Sequence, residues 1–280
     1  MLGAITGDTI GSRYEFLGMK STNFELFDDQ CHYTDDSAMT IAVAEWLLDD
    51  PHLTHDVLEQ KMVKFGVQDP YLGYGGMFSN WLFSPESIWP DGKRKPYQSF
   101  GNGSAMRVSA VGWMFDTLEE TEHVAEISAS ITHNHPEGIK GAQAAAAAIF
   151  MARNRAKKDE IKRYITERFQ YDLNRTCNQI RPRYGFKETC QESVPEAIIA
   201  FLESNDYETA VRLAVSLGGD SDTQACIAGG IAEVFYGMPD EIIKNMDNYL
   251  PPNYKENIIR FAEVSAYRCT REQIKRCWGL

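Results

Sequence analysis

Two short acidic runs carry the densest chemistry in this chain. Thr34-Asp35-Asp36-Ser37 and Gly218-Gly219-Asp220-Ser221-Asp222-Thr223 each set two carboxylates and a threonine hydroxyl directly in front of a helical pattern. Taken singly, such a run reads as an N-cap with acidic residues favoured by the helix dipole. Repetition of the pattern suggests a shared purpose. If the two helix starts converge, four carboxylates lie together, and like charges about 4 Å apart repel by about 4 kcal/mol per pair at an effective dielectric of 20. A cation must then offset them. Carboxylate and hydroxyl oxygens with no thiolate among them select hard ions, Mg²⁺ or Mn²⁺ above zinc or copper. The ligand count exceeds what one octahedral magnesium with its waters needs, so two ions fit the reading, and such a pair can polarise ligand hydroxyls and hold an attacking water.

Three other segments add to this chemistry. The run from Gly3 to Phe16 contributes Asp8 and Glu15, and Gly7 and Gly11 within it permit tight helix packing. Glu15 is open to two readings, an exposed helix-end glutamate or a buried metal ligand or general base. Phe100-Gly101-Asn102-Gly103-Ser104-Ala105-Met106-Arg107 is a glycine-rich turn leading into an apolar helix, a form that exposes N–H groups able to cradle phosphate. A plain Asn-Gly turn would look the same, and the Lys-Ser/Thr pair of a Walker sequence is missing. In Thr132-His133-Asn134-His135-Pro136, the His-x-His pair has no third zinc ligand nearby. A histidine that positions a ligand phosphate or ribose is the better reading of His133.

The elements that must position these groups are helical. Apolar residues recur at three-to-four spacing over 37–48, 57–65, 123–131, 136–155, 194–202, 208–217 and 223–236, while strand-like alternation is scarce. Thr34/Asp35, Pro136, Gly218-Gly219 and Gly237 supply start and stop signals in register with those helices. The expected class is all-α, a single domain over 1–280. Two helices are rich in small residues, 141–148 with five consecutive alanines and 225–232 with Gly229-Gly230. Each glycine costs about 1 kcal/mol relative to alanine in a helix, so close approach of a neighbouring backbone is expected at Gly229-Gly230. Residues 69–100, rich in aromatics, glycine and proline, read as a long functional loop, and 174–190 as a second irregular, basic stretch.

Bulk properties limit the partners. A formal net charge of -12 disfavours broad nucleic-acid binding, yet carboxylates gathered in one cleft suit a hard cation that can receive a phosphate-bearing or hydroxyl-rich ligand. The six cysteines, Cys31, Cys177, Cys190, Cys226, Cys269 and Cys277, show no CxxC pair and fit free thiols in a reducing compartment. No charged-then-apolar leader precedes Gly3, and the longest apolar run, Ala144 to Ala152, is far short of a membrane span. A cytoplasmic protein without membrane contact is expected.

With these residues assembled, the chain resembles the ADP-ribosylglycohydrolase family. The likeness runs from Gly3-Ala4-Ile5 to about Gly237. It rests on Tyr33-Thr34-Asp35-Asp36, Gly73-Tyr74-Gly75-Gly76, the 101–107 run, Thr132-His133-Asn134-His135 and the 218–223 run, in that order. The resemblance implies a compact orthogonal all-α bundle around a central two-metal site holding Mg²⁺ or Mn²⁺. It implies Thr34, Asp35, Asp36, Asp220, Asp222 and Thr223 as metal ligands. Ser99, Phe100, Gly101, Asn102, Gly103 and Ser104 would hold the diphosphate and distal ribose of ADP-ribose, His133 would contact the same ligand, and 73–78 would border the cleft.

The activity so implied is metal-dependent hydrolysis of the C1″ glycosidic bond between ADP-ribose and an acceptor on a protein or small molecule, releasing ADP-ribose. Asp35, Asp36 or Glu15 would take the proton of the attacking water. Arginine is the favoured acceptor over serine, another guanidine or a nucleic-acid base, and nucleic acid enters only as a modified substrate. A two-metal nucleotide phosphohydrolase could use the same acids and loop. A non-catalytic ADP-ribose-binding or structural relative is the other alternative, and retention of every expected acid weighs against it.

Overall fold

The computed structural model describes residues 1–280, the side chains of Pro90, Arg268 and Cys269 excepted, so the free-thiol expectation for Cys269 lies outside the described residues. The elements in order are α1 (Leu2–Ser12), α2 (Asp35–Asp49), α3 (His55–Gln68), α4 (Gly76–Phe83), α5 (Gly103–Met106), α6 (Ser109–Met114), α7 (Leu118–Ser130), α8 (Pro136–Arg153), α9 (Lys158–Phe169), α10 (Cys177–Ile180), α11 (Cys190–Glu203), α12 (Tyr207–Val215), α13 (Ser221–Tyr236), α14 (Asp240–Met246), α15 (Pro252–Val264) and α16 (Arg268–Trp278). Short 3₁₀ turns cover Glu86–Ile88 and Pro90–Gly92. Among the described residues there is no sheet, only an isolated antiparallel bridge between Gly101 and Thr189. The fold is all-α.

Every helix expected from periodicity is present, with ends displaced by a few residues. Thr34 caps α2 by accepting from the Asp36 N–H at 3.3 Å, and Pro136 opens α8 behind His135, whose Nδ1 accepts from the Glu137 N–H at 3.1 Å. Gly237 ends α13 in a left-handed conformation, φ 79°. The expected loop over 69–100 needs correction, because it contains α4. That helix buries Phe78, Trp81 and Leu82 on one side and leaves Met77 and Phe83 exposed, so its apolar residues do not fall in one stripe. α9 also lies outside the expected set. Its buried side is only Ile161, Ile165 and Phe169 on an otherwise charged sequence, and its start is held by the Glu160 carboxylate accepting from the Lys157 N–H at 2.7 Å.

The centre of the molecule is the pair α1 and α13. All of α1 is buried, and α13 is buried from Ser221 to Glu233, so both lack the polar face of a surface helix. Gly3, Gly7 and Gly11 form one stripe of α1, and each is filled by α13 backbone. A Cβ on Gly3 would stand 2.7 Å from the Gly229 carbonyl oxygen, one on Gly7 would collide with the Ala225 backbone, and one on Gly11 would stand 2.5 Å from the Asp222 Cα. Gly229 is matched in turn by the Gly3 carbonyl, which accounts for a helix-interior glycine there. The alanine-rich α8 packs against α6, α7 and α11, with Gly112 against Ile149 and Gly141 against Cys190. No helix among the described residues is long and apolar enough to cross a membrane.

Candidate active site

The close packing of α1 on α13 sets the first acids in place. Asp8 projects from α1 to the start of α2, where its Oδ2 accepts from the N–H groups of Thr34 at 3.0 Å and Ser37 at 3.1 Å and from the Ser37 hydroxyl. Its Oδ1 accepts from the Thr34 hydroxyl at 2.7 Å. This buried carboxylate therefore fastens α2 to α1 by satisfying two otherwise orphaned helix-end donors. Because Thr34 gives its proton to Asp8, its oxygen keeps lone-pair capacity. At the other helix start, the Ser221 hydroxyl donates to the Gly11 carbonyl at 3.1 Å, which holds the Asp220–Asp222 turn against the end of α1.

The two remote acidic runs meet in space. One oxygen from each of Asp8, Asp36 and Asp222 lies within 4.8 Å of the others, and the same holds for Glu15, Asp220 and Asp222. Asp222 belongs to both groups. Thr223 sits between the runs, its hydroxyl donating to Asp36 Oδ2 at 3.2 Å and its N–H to Asp222 Oδ1 at 2.9 Å. Asp36 is 2% exposed and its Oδ1 has no hydrogen-bond partner. Asp35 is half-buried, faces the same cavity, and stands outside both groups of three.

Packing this many carboxylates together has an electrostatic consequence. Burial, then Asp8, Asp35 and Asp220, hold the Asp36 carboxyl well above the ordinary carboxylate range. Burial, then Asp220 and Asp36, do the same to Asp222, and burial, then Asp8 and Asp220, to Asp35. Glu15 is pushed up to about 7 by burial, with Asp220, Asp8 and Glu188 adding repulsion. An orphaned buried carboxylate oxygen among mutually repelling acids is the donor set of a hard cation, all oxygen and anionic. The acidic residues thus cluster as a candidate metal site.

This acidic group forms one end of a cavity of about 450 Å³. Its lining also includes Tyr97, Gln98, Ser99, Phe100, Gly101, Asn102, Gly103, Arg107 and His133. Gly73, Gly75, Gly76, Met77 and Phe78 line it as well, as do Phe186 and Glu188. The glycine loop is pinned from behind, the Asn102 N–H donating to the Glu188 carbonyl at 2.7 Å and the Cys190 N–H to the Phe100 carbonyl at 2.9 Å. Its link to the acids is direct, since the Asn102 side-chain amide donates to Asp220 Oδ2 at 2.7 Å.

Two of the expected site residues do not reach the cavity wall. Ser104 is fully buried and its hydroxyl donates to the Gly138 carbonyl at 2.7 Å, so it seats the loop on α8. Thr34 lies just beneath the wall, held by Asp8. His135 caps α8, and among the described residues no histidine joins a metal-ligand group, so the His-x-His pair does not assemble as a zinc site.

Several wall residues carried no role in the sequence reading. Arg107 belongs to the 101–107 run and is a buried cation, 1% exposed, that lines the cavity beside the glycine loop. Burial lowers its guanidinium to about 10. Phe186 and Glu188 had no local signal, because long-range contacts such as the bridge from Gly101 to Thr189 and the Phe16–Phe186 stack bring their segment to the cleft.

With this geometry in view, comparisons with known proteins are specific. A family profile described as ADP-ribosylglycohydrolase matches residues 1–274. The chain is 26% identical over 310 residues to ADP-ribosylhydrolase ARH3 of Homo sapiens, covering 85% of this chain and 84% of that one. It is 25% identical over 285 residues to ADP-ribosylarginine hydrolase Tri1 of Pseudomonas putida (strain GB-1), covering 88% of this chain and 72% of that one. A solved structure described as an ADP-ribosylglycohydrolase-related protein complex shares the fold, with a TM-score of 0.68 at 19% identity over 99% of this chain and 95% of that chain.

Proposed function

The chain belongs to the ADP-ribosylglycohydrolase family and is a glycosyl hydrolase, and from that premise we propose that it cleaves the C1″ glycosidic bond of ADP-ribose attached to arginine, using two Mg²⁺ or Mn²⁺ ions. One observation carries the reading: a single cavity is lined both by carboxylates converged from two remote helix starts and by a glycine loop with a buried arginine and a histidine. The first set suits a cation-held ribose, and the second suits a diphosphate.

Thr34, Asp35, Asp36, Asp220, Asp222 and Thr223 would hold the cations. The unpartnered Asp36 oxygen and the shared position of Asp222 support this assignment. When bound, the cations supply positive charge that polarises the distal-ribose hydroxyls and the water gathered beside C1″. The residues of the chain do the rest. Ser99 to Gly103 and His133 line the diphosphate half and orient the ligand, and Asn102 ties that half to Asp220. Among Asp35, Asp36 and Glu15, we assign proton removal from water to Glu15. It borders solvent at the cleft, while Asp36 is closed in behind Thr223.

Arginine as acceptor is supported by the rim. Glu15 and Glu188 face the cleft, and Phe186 stacks on the exposed Phe16 with ring centroids 5.5 Å apart. Carboxylates beside aromatic faces attract a guanidinium, which stays cationic when N-glycosylated. The likeness to an ADP-ribosylarginine hydrolase agrees with this reading. The deciding assay is incubation with arginine-, serine- and base-linked ADP-ribose, with and without EDTA, scored by released ADP-ribose. Cleavage indifferent to chelation would remove the metal-dependent mechanism, and release of AMP or phosphate would replace glycoside hydrolysis with phosphohydrolysis.

A further inference from the structure

His133 lies with one ring nitrogen toward the protein and the other toward the cleft. Its Nδ1 is 2.7 Å from the Thr132 hydroxyl oxygen, and that same oxygen is 2.9 Å from Arg107 Nη2. On the other side, a Cβ on Gly103 would stand 3.2 Å from His133 Nε2 and one on Gly101 3.5 Å, so Nε2 faces the side-chain-free wall of the glycine loop. Among the described residues no group hydrogen-bonds to Nε2. We propose that Arg107 is a positioning residue which, through the Thr132 hydroxyl, holds His133 as the Nε2–H tautomer and so aims one neutral N–H into the cleft as a donor to an anionic ligand.

Donors and acceptors around the Thr132 hydroxyl limit how it can bond. A guanidinium has N–H donors and no acceptor, so at the contact with Arg107 the Thr132 oxygen must accept. Its single proton is then free for His133 Nδ1, 2.7 Å away, which receives it on a lone pair when the hydroxyl turns that way. Charge favours the same arrangement, because a lone pair turned toward the buried cation is attracted and an N–H is repelled. Arg107 is itself fixed, its Nη2 also donating to the Ser128 carbonyl at 2.9 Å, and among the described residues its titratable acidic neighbours are Tyr97 and Cys190 rather than a carboxylate. Burial, with Arg107 adding repulsion, keeps the imidazole neutral far below its ordinary titration range. A neutral imidazole has one N–H, and the relay decides where it points.

The identity of the anion, the ADP-ribose diphosphate, rests on the function proposed above, whereas the tautomer does not. The test uses the full chain with ¹⁵N-labelled histidine and two-bond ¹⁵N–¹H correlation at neutral and mildly acidic pH. His133 is expected to show a pyrrole-like Nε2 and a pyridine-like Nδ1 at both. Thr132→Val should mix the tautomers and weaken ADP-ribose binding about tenfold by calorimetry, and Thr132→Ser should restore both. The Tyr97 phenol also lies beside Thr132. A hydroxyl turned to it would leave His133 donating from Nδ1, so a pyrrole-like Nδ1 in the unsubstituted protein, or a Thr132→Val spectrum identical to it, overturns the proposal. If the expected tautomer is present but ADP-ribose does not bind, the relay stands and the ligand assignment falls.

Discussion

The carboxamide nitrogen of Asn102 donates to Asp220 Oδ2 at 2.7 Å across a sequence separation of 118 residues. It is the direct tie between the glycine loop and the acidic group, and Asp220 is only 7% exposed. A ligand held by the loop and a cation held by the acids would therefore act on the same contact.

Replacement of Asn102 by alanine is expected to weaken both partners at once. A hydrogen bond to a charged group contributes about 1.5–3 kcal/mol, so kcat/KM should fall by about 10–100-fold. Titration of the variant separately with Mn²⁺ and with ADP-ribose checks the coupling. Loss of ADP-ribose affinity with unchanged Mn²⁺ affinity would show the two ends to be independent.

Asp222 is shared by both groups of three acids, so Asp222→Asn should abolish most turnover and cation binding. The metal-free fold should persist, and melt at a higher temperature, because a buried like charge has been removed. Asp35→Asn is likewise expected to lose most activity while the fold persists. Near-normal turnover of either variant at saturating Mg²⁺ or Mn²⁺ would contradict the assignment.

The raised carboxyls fix the sign of a pH dependence. An unfolded aspartate titrates near about 3.9, whereas Asp35, Asp36 and Asp222 in the metal-free fold are held well above that. Between those limits the folded state binds more protons than the unfolded state, so stability falls as pH rises. Thermal melts in EDTA should thus drop in midpoint from about pH 5 to about pH 8, and added Mg²⁺ or Mn²⁺ should stabilise more at the higher pH because the ligands must be deprotonated. A metal-induced shift independent of pH would argue against these acids as ligands.

Gly7→Ala should be among the most damaging small changes in the chain. The added methyl meets the Ala225 backbone, which cannot rotate away as a side chain can, and overpacking of this kind costs about 1–3 kcal/mol or more. Gly76→Ala is the control, with nothing within 4 Å of its new Cβ and no left-handed backbone. Urea unfolding midpoints of the two variants should differ clearly, and equal midpoints would mean that the α1 and α13 packing is looser than described.

Glu188→Gln is expected to reduce cleavage of arginine-linked ADP-ribose several-fold and to leave serine-linked substrate little changed, since only a guanidinium acceptor is cationic at the rim. Parallel kcat/KM measurements on the two substrates test this, and equal losses would remove the acidic rim from acceptor choice.

Much of the frame was legible along the chain, because helix formation is mainly local. Thr34, Pro136 and Gly237 marked helix ends through their own backbone and side-chain preferences, and the three-to-four apolar spacing marked what lies between. α4 and α9 escaped for opposite reasons. The first has apolar residues all round in an aromatic segment, and the second has too few of them to rise above its charges.

The sequence by itself determined the all-α class, the types of donor atom and the two acidic runs, since residue identity and short-range order require nothing else. It could also motivate a close backbone approach at Gly229, because a helix-interior glycine is costly without one. Tertiary structure alone decided which carboxylates come together, that Asp8 fastens Thr34 and Ser37, that Ser104 turns away from the cleft, and that Phe186 and Glu188 line it. Those outcomes depend on contacts between residues tens to hundreds of positions apart, and a glycine stripe three residues long sets the separation of α1 from α13 on which the acidic group is built.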